Sequence, residues 1–379
     1  MTGVSSLAVV GAGPYGVAVA AHARERGIDT TVVGRPMEFW TRHMPDGMFL
    51  RSGLDWHLDA DGEHTFQAFA EERGIAAQDI DPVPIAVFLD YAAWFQARKR
   101  VDVVEQLVTS VTREDGRFVL TADDGTVRTA DRIVVTPGAR YFPRLPDWAS
   151  GLRHRGAHTV DFVDFDGVGG AHVLVVGGRQ SAYEWAALLG DHGARRVDIV
   201  HRHAEPRFDR VSWEFTDAYV EQTLATPGWW RTLPPDERQA IERRFWEVGR
   251  LTLEWWLVPR LAGDRFHRWP GTHVMEAVEH EDGTVDVTLS NGEQLRVDQV
   301  LFATGYQPDL SKVPFLGGVL PDIDVTDGYP VLGEWFQTSV PGLYVTGFAA
   351  TRDFGPFFGF TKGCPAAARL VVDGLLRSG

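Results

Sequence analysis

Two stretches of the chain repeat each other without a gap at a spacing of 167 residues, and this repeat limits the possible folds more than any other feature. Glu114-Asp115-Gly116, Gly125, Asp131 and Gly138 in the first copy match Glu281-Asp282-Gly283, Gly292, Asp298 and Gly305 in the second. In each copy, short alternating segments (Arg117 to Thr121, Thr284 to Leu289) are separated by Asp-Gly or Asn-Gly turns, and an apolar run follows. Such alternation predicts a β-meander feeding a buried strand. Upstream of each copy, at a spacing of 166, stands an apolar run with a Gly-rich turn, Leu7 to Gly16 and Val173 to Ala182. The reading is α/β, with two Rossmann-like dinucleotide-binding domains, each carrying a β-meander, and a helical Trp-rich insertion.

Binding a pyrophosphate requires close backbone approach and free amides at a helix N-terminus. In the first turn Gly11 permits the tight bend, Gly13 removes the side chain that would block phosphates, and Gly16 lets the helix pack on the strand. The turn opens a helix predicted over Val17 to Arg26, and a second strand is predicted over Thr30 to Val33, which is the context such a turn needs. The acid that usually ends the second strand is replaced by Gly34-Arg35. The ribose then falls to another group, Glu38 or main chain, and Arg35 to the adenine or a phosphate.

In the second turn, Gly177-Gly178-Arg179-Gln180-Ser181-Ala182, Arg179 takes the place of the second fingerprint glycine. Its side chain either pushes the pyrophosphate away or lays a guanidinium along it; the intact strand and Ser-Ala helix opening favour binding. The strand Val197 to Val200 ends in His201-Arg202-His203, and cations there favour NADPH over NADH.

The net charge of -15 argues against nucleic acid and anionic membrane as main partners. A single cysteine, Cys364, excludes an internal disulfide and the paired thiols of a disulfide reductase, and reads as a small buried residue. Residues 1 to 10 lack a basic start before a long apolar core, and no run of about 18 apolar residues occurs, so a soluble, cytoplasmic chain is expected. No metal is expected.

The paired turns, the strand end Ala303-Thr304-Gly305-Tyr306 and the closing Pro341-Gly-Leu-Tyr-Val-Thr-Gly347 resemble the class B flavin monooxygenases, over nearly the whole chain except about residues 205 to 270. The resemblance implies FAD in the first module, NADPH in the second, and insertion of one oxygen atom from O2 into a small-molecule substrate at N, S or C through a flavin hydroperoxide. By it, Gly11, Gly13, Pro14 and Gly16 contact the FAD pyrophosphate, Trp40 lies beside the cofactor and Gly347 approaches the ribityl chain; Tyr15, Gly138, Thr304 and Gly305 are further cofactor candidates. The signature of the monooxygenase branch survives only as Leu152-x-His154-x-x-x-His158-x-x-x-Phe162. An NAD(P)H oxidase or reductase, and a non-catalytic flavin-binding sensor, are the competing readings.

The expected organisation is a FAD domain over residues 1–145 and 306–379, with an NADPH domain over 146–305 that carries the insertion. Linkers are marked by Tyr141 to Pro146 and Tyr306 to Pro308. Helices are predicted near Ile85 to Lys99, and from about Asp236 to Leu257 with Ile241, Phe245, Val248, Thr252 and Trp255 on one stripe. Seven of the thirteen tryptophans fall between Trp213 and Trp269. They either pack locally or wall a dry substrate cavity. A last helix through about Leu376 would direct its N-terminal dipole at the flavin. Arg51, Arg352 and Asp353 are the polar candidates for the flavin face.

Overall fold

The computed structural model describes residues 4–377 and contains a mixed sheet with a parallel core and a second, parallel sheet, built on one plan. In the first, β1 (Val4–Val10) leads into α1 (Pro14–Glu25) and β2 (Thr30–Val33), and α2 (Ile85–Arg98) packs against α1. The strands β3 (Val103–Val104), β4 (Val108–Glu114), β5 (Arg117–Ala122) and β6 (Val127–Val135) complete the order β3-β2-β1-β6-β5-β4. Leu7, Val9, Val32 and Ile133 to Val135 are buried, as expected of strands covered on both faces. Val10 lies opposite both Val33 and Val135, so the strand ends are level and the loops that follow them share one edge. Ligands bind along such an edge in open α/β sheets.

The second sheet repeats this. It holds β7 (Gly156–His158), β8 (His172–Val176), β9 (Arg196–His201), β10 (Phe266–Pro270) and β14 (Gln299–Phe302), with α3 (Gln180–Asp191) after β8. Its order is β10-β9-β8-β14-β7. The strand β15 (Leu343–Val345) pairs with β6 in the first sheet as β7 pairs with β14 in the second. The copies differ at the matched aspartates. β6 runs unbroken through Asp131, whereas the second meander, β11 (Val274–Glu279), β12 (Val285–Leu289) and β13 (Gln294–Val297), forms a sheet of its own that stops before Asp298. Asp298 turns its carboxylate to the His172 amide at 2.7 Å, and the chain restarts as β14.

The two expected linkers run side by side. Pro143 and Tyr306 form an antiparallel bridge, Gln307 N donates to Phe142 O at 2.8 Å, and Arg144 N donates to Gly305 O at 2.9 Å. The expected helix over 236–257 is shorter: α4 (Pro235–Arg244) gives way to a π-helical turn over Phe245–Arg250 and then to the strand Thr252–Glu254. A Cβ on Gly249 would lie 2.4 Å from the Trp213 ring, and Thr252–Glu254 pairs with Arg207–Asp209, so contacts from outside the segment override its helical period. Val248 and Trp255, placed on its apolar stripe, are exposed. The last helix, α5 (Cys364–Arg377), packs against α1, and no helix among the described residues is long and apolar enough to cross a membrane. The expectation about residues 1 to 10 falls partly on Met1 to Gly3, outside the described residues.

Candidate functional site

At the first turn Gly11 has φ +109°, and a Cβ there would lie 2.5 Å from Thr136 O; one on Gly16 would lie 1.9 Å from Gly11 O. Both glycines therefore serve backbone contact between strand and helix. A Cβ on Gly13 would meet nothing within 4 Å, so this glycine opens onto free space at the N-cap of α1. Pro14 starts the helix without losing a bonded amide, and no side chain caps it, which leaves the first-turn amides facing that space. At the same sheet edge stand Gly138, after β6, where a Cβ would also meet nothing, and Thr346, after β15, whose buried hydroxyl has no partner among the described residues. A dinucleotide fits this cradle.

Glu38 opens a short helix, Glu38–Arg42, soon after β2. Arg35 and Arg140 each bond one of its oxygens at 2.9 Å. Burial pushes its carboxyl up, but the two guanidinium groups outweigh that and hold it below the ordinary value. Arg140 is a member of this group that the sequence does not single out. The Tyr15 ring lies under Gly347, where an added Cβ would be 3.3 Å away, and its hydroxyl donates to the carbonyls of Phe358 and Phe360 at 2.5 and 2.7 Å. Tyr15 thus anchors the segment before α5 to the glycine turn. Trp40 packs on Phe88 of α2 with ring centroids 4.8 Å apart.

The second turn keeps its bend: Gly177 has φ +147° and a Cβ there would lie 2.4 Å from Ala303 O. Arg179 is the N-cap of α3, as Gly13 is of α1, and its guanidinium lies 3.7 Å from the Trp246 ring centroid. Burial, reinforced by Arg144 and Arg202, brings its pKa down to about 10. Arg202 is exposed at the end of β9, where a 2′-phosphate would be read. His201, one of the cations expected beside Arg202, does not serve as one. It turns inward, bonds the Tyr183 hydroxyl at 3.1 Å and His203 O at 3.0 Å, and burial lowers its pKa to about 4, so it is neutral at pH 7. Its neighbour His203 faces Gly178 with a buried Nε2 that has no partner among the described residues.

Gln180 spends its side chain inside the protein, donating to Glu184 at 2.8 Å and accepting from Glu254 N at 3.0 Å, while Ser181 is exposed. Thr304 donates its hydroxyl to Arg144 O, and Gly305 O accepts from Arg144 N and from His158 Nε2 at 3.1 Å. Because Val160 N donates to His158 Nδ1, the proton sits on Nε2. This survivor of the decayed signature ties β7 to the linker.

A pocket of about 590 Å³ opens between the excursion after β2 and the insertion, lined by Arg51, Trp56, Trp213, Glu254, Trp255 and Trp256 among others. Arg51 bonds Glu254 at 3.0 Å and the carbonyls of Gly249 and Thr252 at 2.8 Å, and lies over Trp213. The three polar candidates do not come together. Asp353 accepts Leu332 N at 2.8 Å, and Arg352 O accepts the Trp230 indole N–H at 3.1 Å, both away from the residues that hold Arg51. Four of the seven clustered tryptophans spend their indole N–H internally: Trp229 on Thr223, Trp230 on Arg352 O, Trp256 on Glu184 and Trp269 on Asp198.

The family described as pyridine nucleotide-disulphide oxidoreductase matches residues 8–225, from β1 through α3 and β9 into the insertion. The FAD-dependent urate hydroxylase of Xanthomonas campestris pv. campestris is 25% identical over 349 residues, 82% of this chain and 72% of that protein. A ferredoxin–NADP reductase of Halalkalibacterium halodurans is 25% identical over 252 residues, 65% of this chain and 62% of that one. Among solved structures, the ornithine N-hydroxylase of Kutzneria sp. 744, held with reduced FAD, NADP+ and L-ornithine, superposes with a TM-score of 0.81 at 18% identity over 99% of both chains. The expected two-dinucleotide-binding fold is borne out along the whole chain. On its strand order, its two glycine turns and the match over 8–225, the chain belongs to the pyridine nucleotide-disulphide oxidoreductase family.

Proposed function

We propose that the protein is an FAD-dependent, NADPH-consuming monooxygenase that transfers one oxygen atom from O2 to a small molecule, with FAD at the first glycine turn and NADPH at the second. When bound, FAD supplies a hydride acceptor that also reacts with O2. The observation that carries the reading is the pair of turns: one opens onto free space at an uncapped helix N-terminus, the other onto cations at the end of β9. The family name suggests disulfide chemistry, but the chain's single thiol, Cys364, is buried at the start of α5 and burial pushes its pKa well up. Electrons leaving the flavin must therefore pass to an acceptor outside the chain.

In this reading the first module comprises 1–145 and 306–379, the second 146–305, and the paired linkers join them. Glu38, oriented by Arg35 and Arg140, holds the adenosine ribose, and Arg202 reads the 2′-phosphate. Arg51, which borders the pocket, Arg352 and Asp353 are the polar candidates for the flavin face. The similar proteins that act on urate and ornithine support a small-molecule substrate. The similar ferredoxin–NADP reductases favour, as a second reading, delivery of electrons without oxygenation.

Rapid mixing with NADPH and NADH, followed by air, separates these. NADPH is expected to bleach the flavin, and members of a panel of amines, thioethers, ketones and aromatic acids to accelerate NADPH oxidation and gain oxygen. Arg202→Ala is expected to weaken NADPH about ten- to a hundred-fold with little change for NADH. Fast reduction by NADPH with no oxygenated product from any class would favour the reductase.

A further inference from the structure

Elsewhere in this fold, several half-buried arginines are paired with an acid. Arg35 and Arg140 have Glu38, Arg51 has Glu254, and Arg260 has Glu184. A different group of guanidinium side chains has none: Arg179 at the second glycine turn, the exposed Arg144 and Arg202 near it, and Arg250 in the turn that covers it. Among the described residues, Arg144, Arg179, Arg202 and Arg250 make no ion pair with a carboxylate. Arg179 lies over the Trp246 ring, its guanidinium carbon 3.7 Å from the centroid. Trp246 and Arg250 belong to the same π-helical turn, and Arg250 is held between the rings of Phe245 and Phe360 at 5.5 and 4.8 Å. Burial, then the proximity of Arg179 and Arg51, lowers the Arg250 pKa to about 9. Two desolvated cations that repel each other are stabilised by an anion placed between them.

The geometry of the turn says which anion. In the first module a Cβ at Gly13 would enter free space, so a diphosphate can approach the backbone there. In the second module Arg179 fills the matching position at the N-cap of α3 and removes that approach. What the backbone loses, charge can supply, and a guanidinium binds phosphate oxygens in a bidentate fork.

We propose that Arg250, carried in by the insertion, forms with Arg179 a two-guanidinium clamp on the diphosphate of the nicotinamide coenzyme, so that the π-helical turn is part of the coenzyme site. This rests on the reading of the second module as an NADPH site. It gives the insertion a role the glycine turn alone does not require: the turn over 245–250 covers Arg179 with Trp246 and adds the second charge with Arg250. The clamp is distinct from Arg202, which faces the 2′-phosphate that only NADP carries.

Calorimetric titration of the FAD-bound protein with NADP+ and NAD+ tests this without turnover. Arg250→Met and Arg179→Met are each expected to weaken both coenzymes about ten- to a hundred-fold by the same factor, because both carry the diphosphate. Arg250→Lys, which keeps a charge but not the fork, is expected to fall between. Far-UV circular dichroism, FAD content and melting temperature identify a variant that fails to fold, in which case Arg250→Lys decides. Unchanged affinity in Arg250→Met overturns the clamp, and so does a loss confined to NADP+, which would place Arg250 on the 2′-phosphate. Wild-type protein that is reduced by neither coenzyme and binds neither overturns the coenzyme reading beneath it; wild-type binding with an indifferent Arg250→Met overturns the clamp alone.

Discussion

Gly13 and Arg179 occupy the same position in two copies of one turn, and the structure gives each a different consequence. A side chain at Gly13 would project into open space rather than into the protein, so Gly13→Leu is expected to fold normally and to lose FAD. Stoichiometric flavin in the purified variant would show that this turn does not hold the pyrophosphate. The glycines were legible in the sequence because a bend with φ of +109° or +147° leaves glycine as its mark. His201 was not legible. A strand buried on both faces gives no alternation to tell an inward from an outward histidine, and the groups that receive its ring, Tyr183 and His203 O, are set by the tertiary fold. Its pKa of about 4 against an ordinary 6.5 has a measurable result. Between those values the unfolded chain takes up a proton that the folded chain refuses, so the contribution is complete above about pH 6.5 and is lost as pH falls toward 4. The loss amounts to about 3 kcal/mol. His201→Gln, followed by urea midpoints from pH 4 to 7, is expected to be less stable at neutral pH and less sensitive to acid; a wild-type acid slope in the variant would show that His201 is charged in the fold.

At the scale of elements, long periodic segments read well and the insertion did not. The predicted helices at Ile85 and near the C-terminus, the glycine-turn strands and both meanders are present within a few residues. Their patterns are satisfied by neighbours within the repeated plan. Over 236–257 the spacing of Ile241, Phe245, Val248, Thr252 and Trp255 is helical, yet Gly249 must admit the Trp213 ring, and Arg51, about two hundred positions earlier, takes the carbonyls of Gly249 and Thr252. A partner so distant leaves no local trace. Arg51 is therefore expected to behave first as a clamp between modules. Arg51→Met leaves Glu254, which is 3% exposed, without its cation, a change expected to cost about 3 to 5 kcal/mol. Arg51→Met combined with Glu254→Leu removes the stranded charge and should recover part of that loss. A double-mutant cycle by urea unfolding measures the coupling, and strictly additive losses would show that the pair does not act together.

At the scale of the molecule, the pocket joins distant parts of the chain: Arg51 and Trp56 come from the excursion after β2, and Trp213, Glu254, Trp255 and Trp256 from the segment between β9 and β10. The clustering of tryptophans was visible in the sequence, but whether they form a wall or a core was not, and the structure divides them. Trp230 is 1% exposed, bonds Arg352 O and meets the Phe357 ring, so it is core. Trp255 is 39% exposed and lines the pocket, so it is wall. If oxygen transfer takes place in this enclosure, the two classes separate on two measurements made together. Trp230→Ala is expected to lower stability by about 3 to 5 kcal/mol and, in the fraction that remains folded, to leave the hydrogen peroxide formed per NADPH unchanged. Trp255→Ala is expected to shift stability by about 0.5 kcal/mol or less, because it is largely exposed, and to raise the peroxide yield by admitting water. Trp256, which lines the pocket and also bonds the buried Glu184, should show both effects. Should Trp255→Ala and Trp256→Ala keep wild-type coupling of NADPH to product, the pocket is not where oxygen is transferred, and the substrate must meet the flavin on another face.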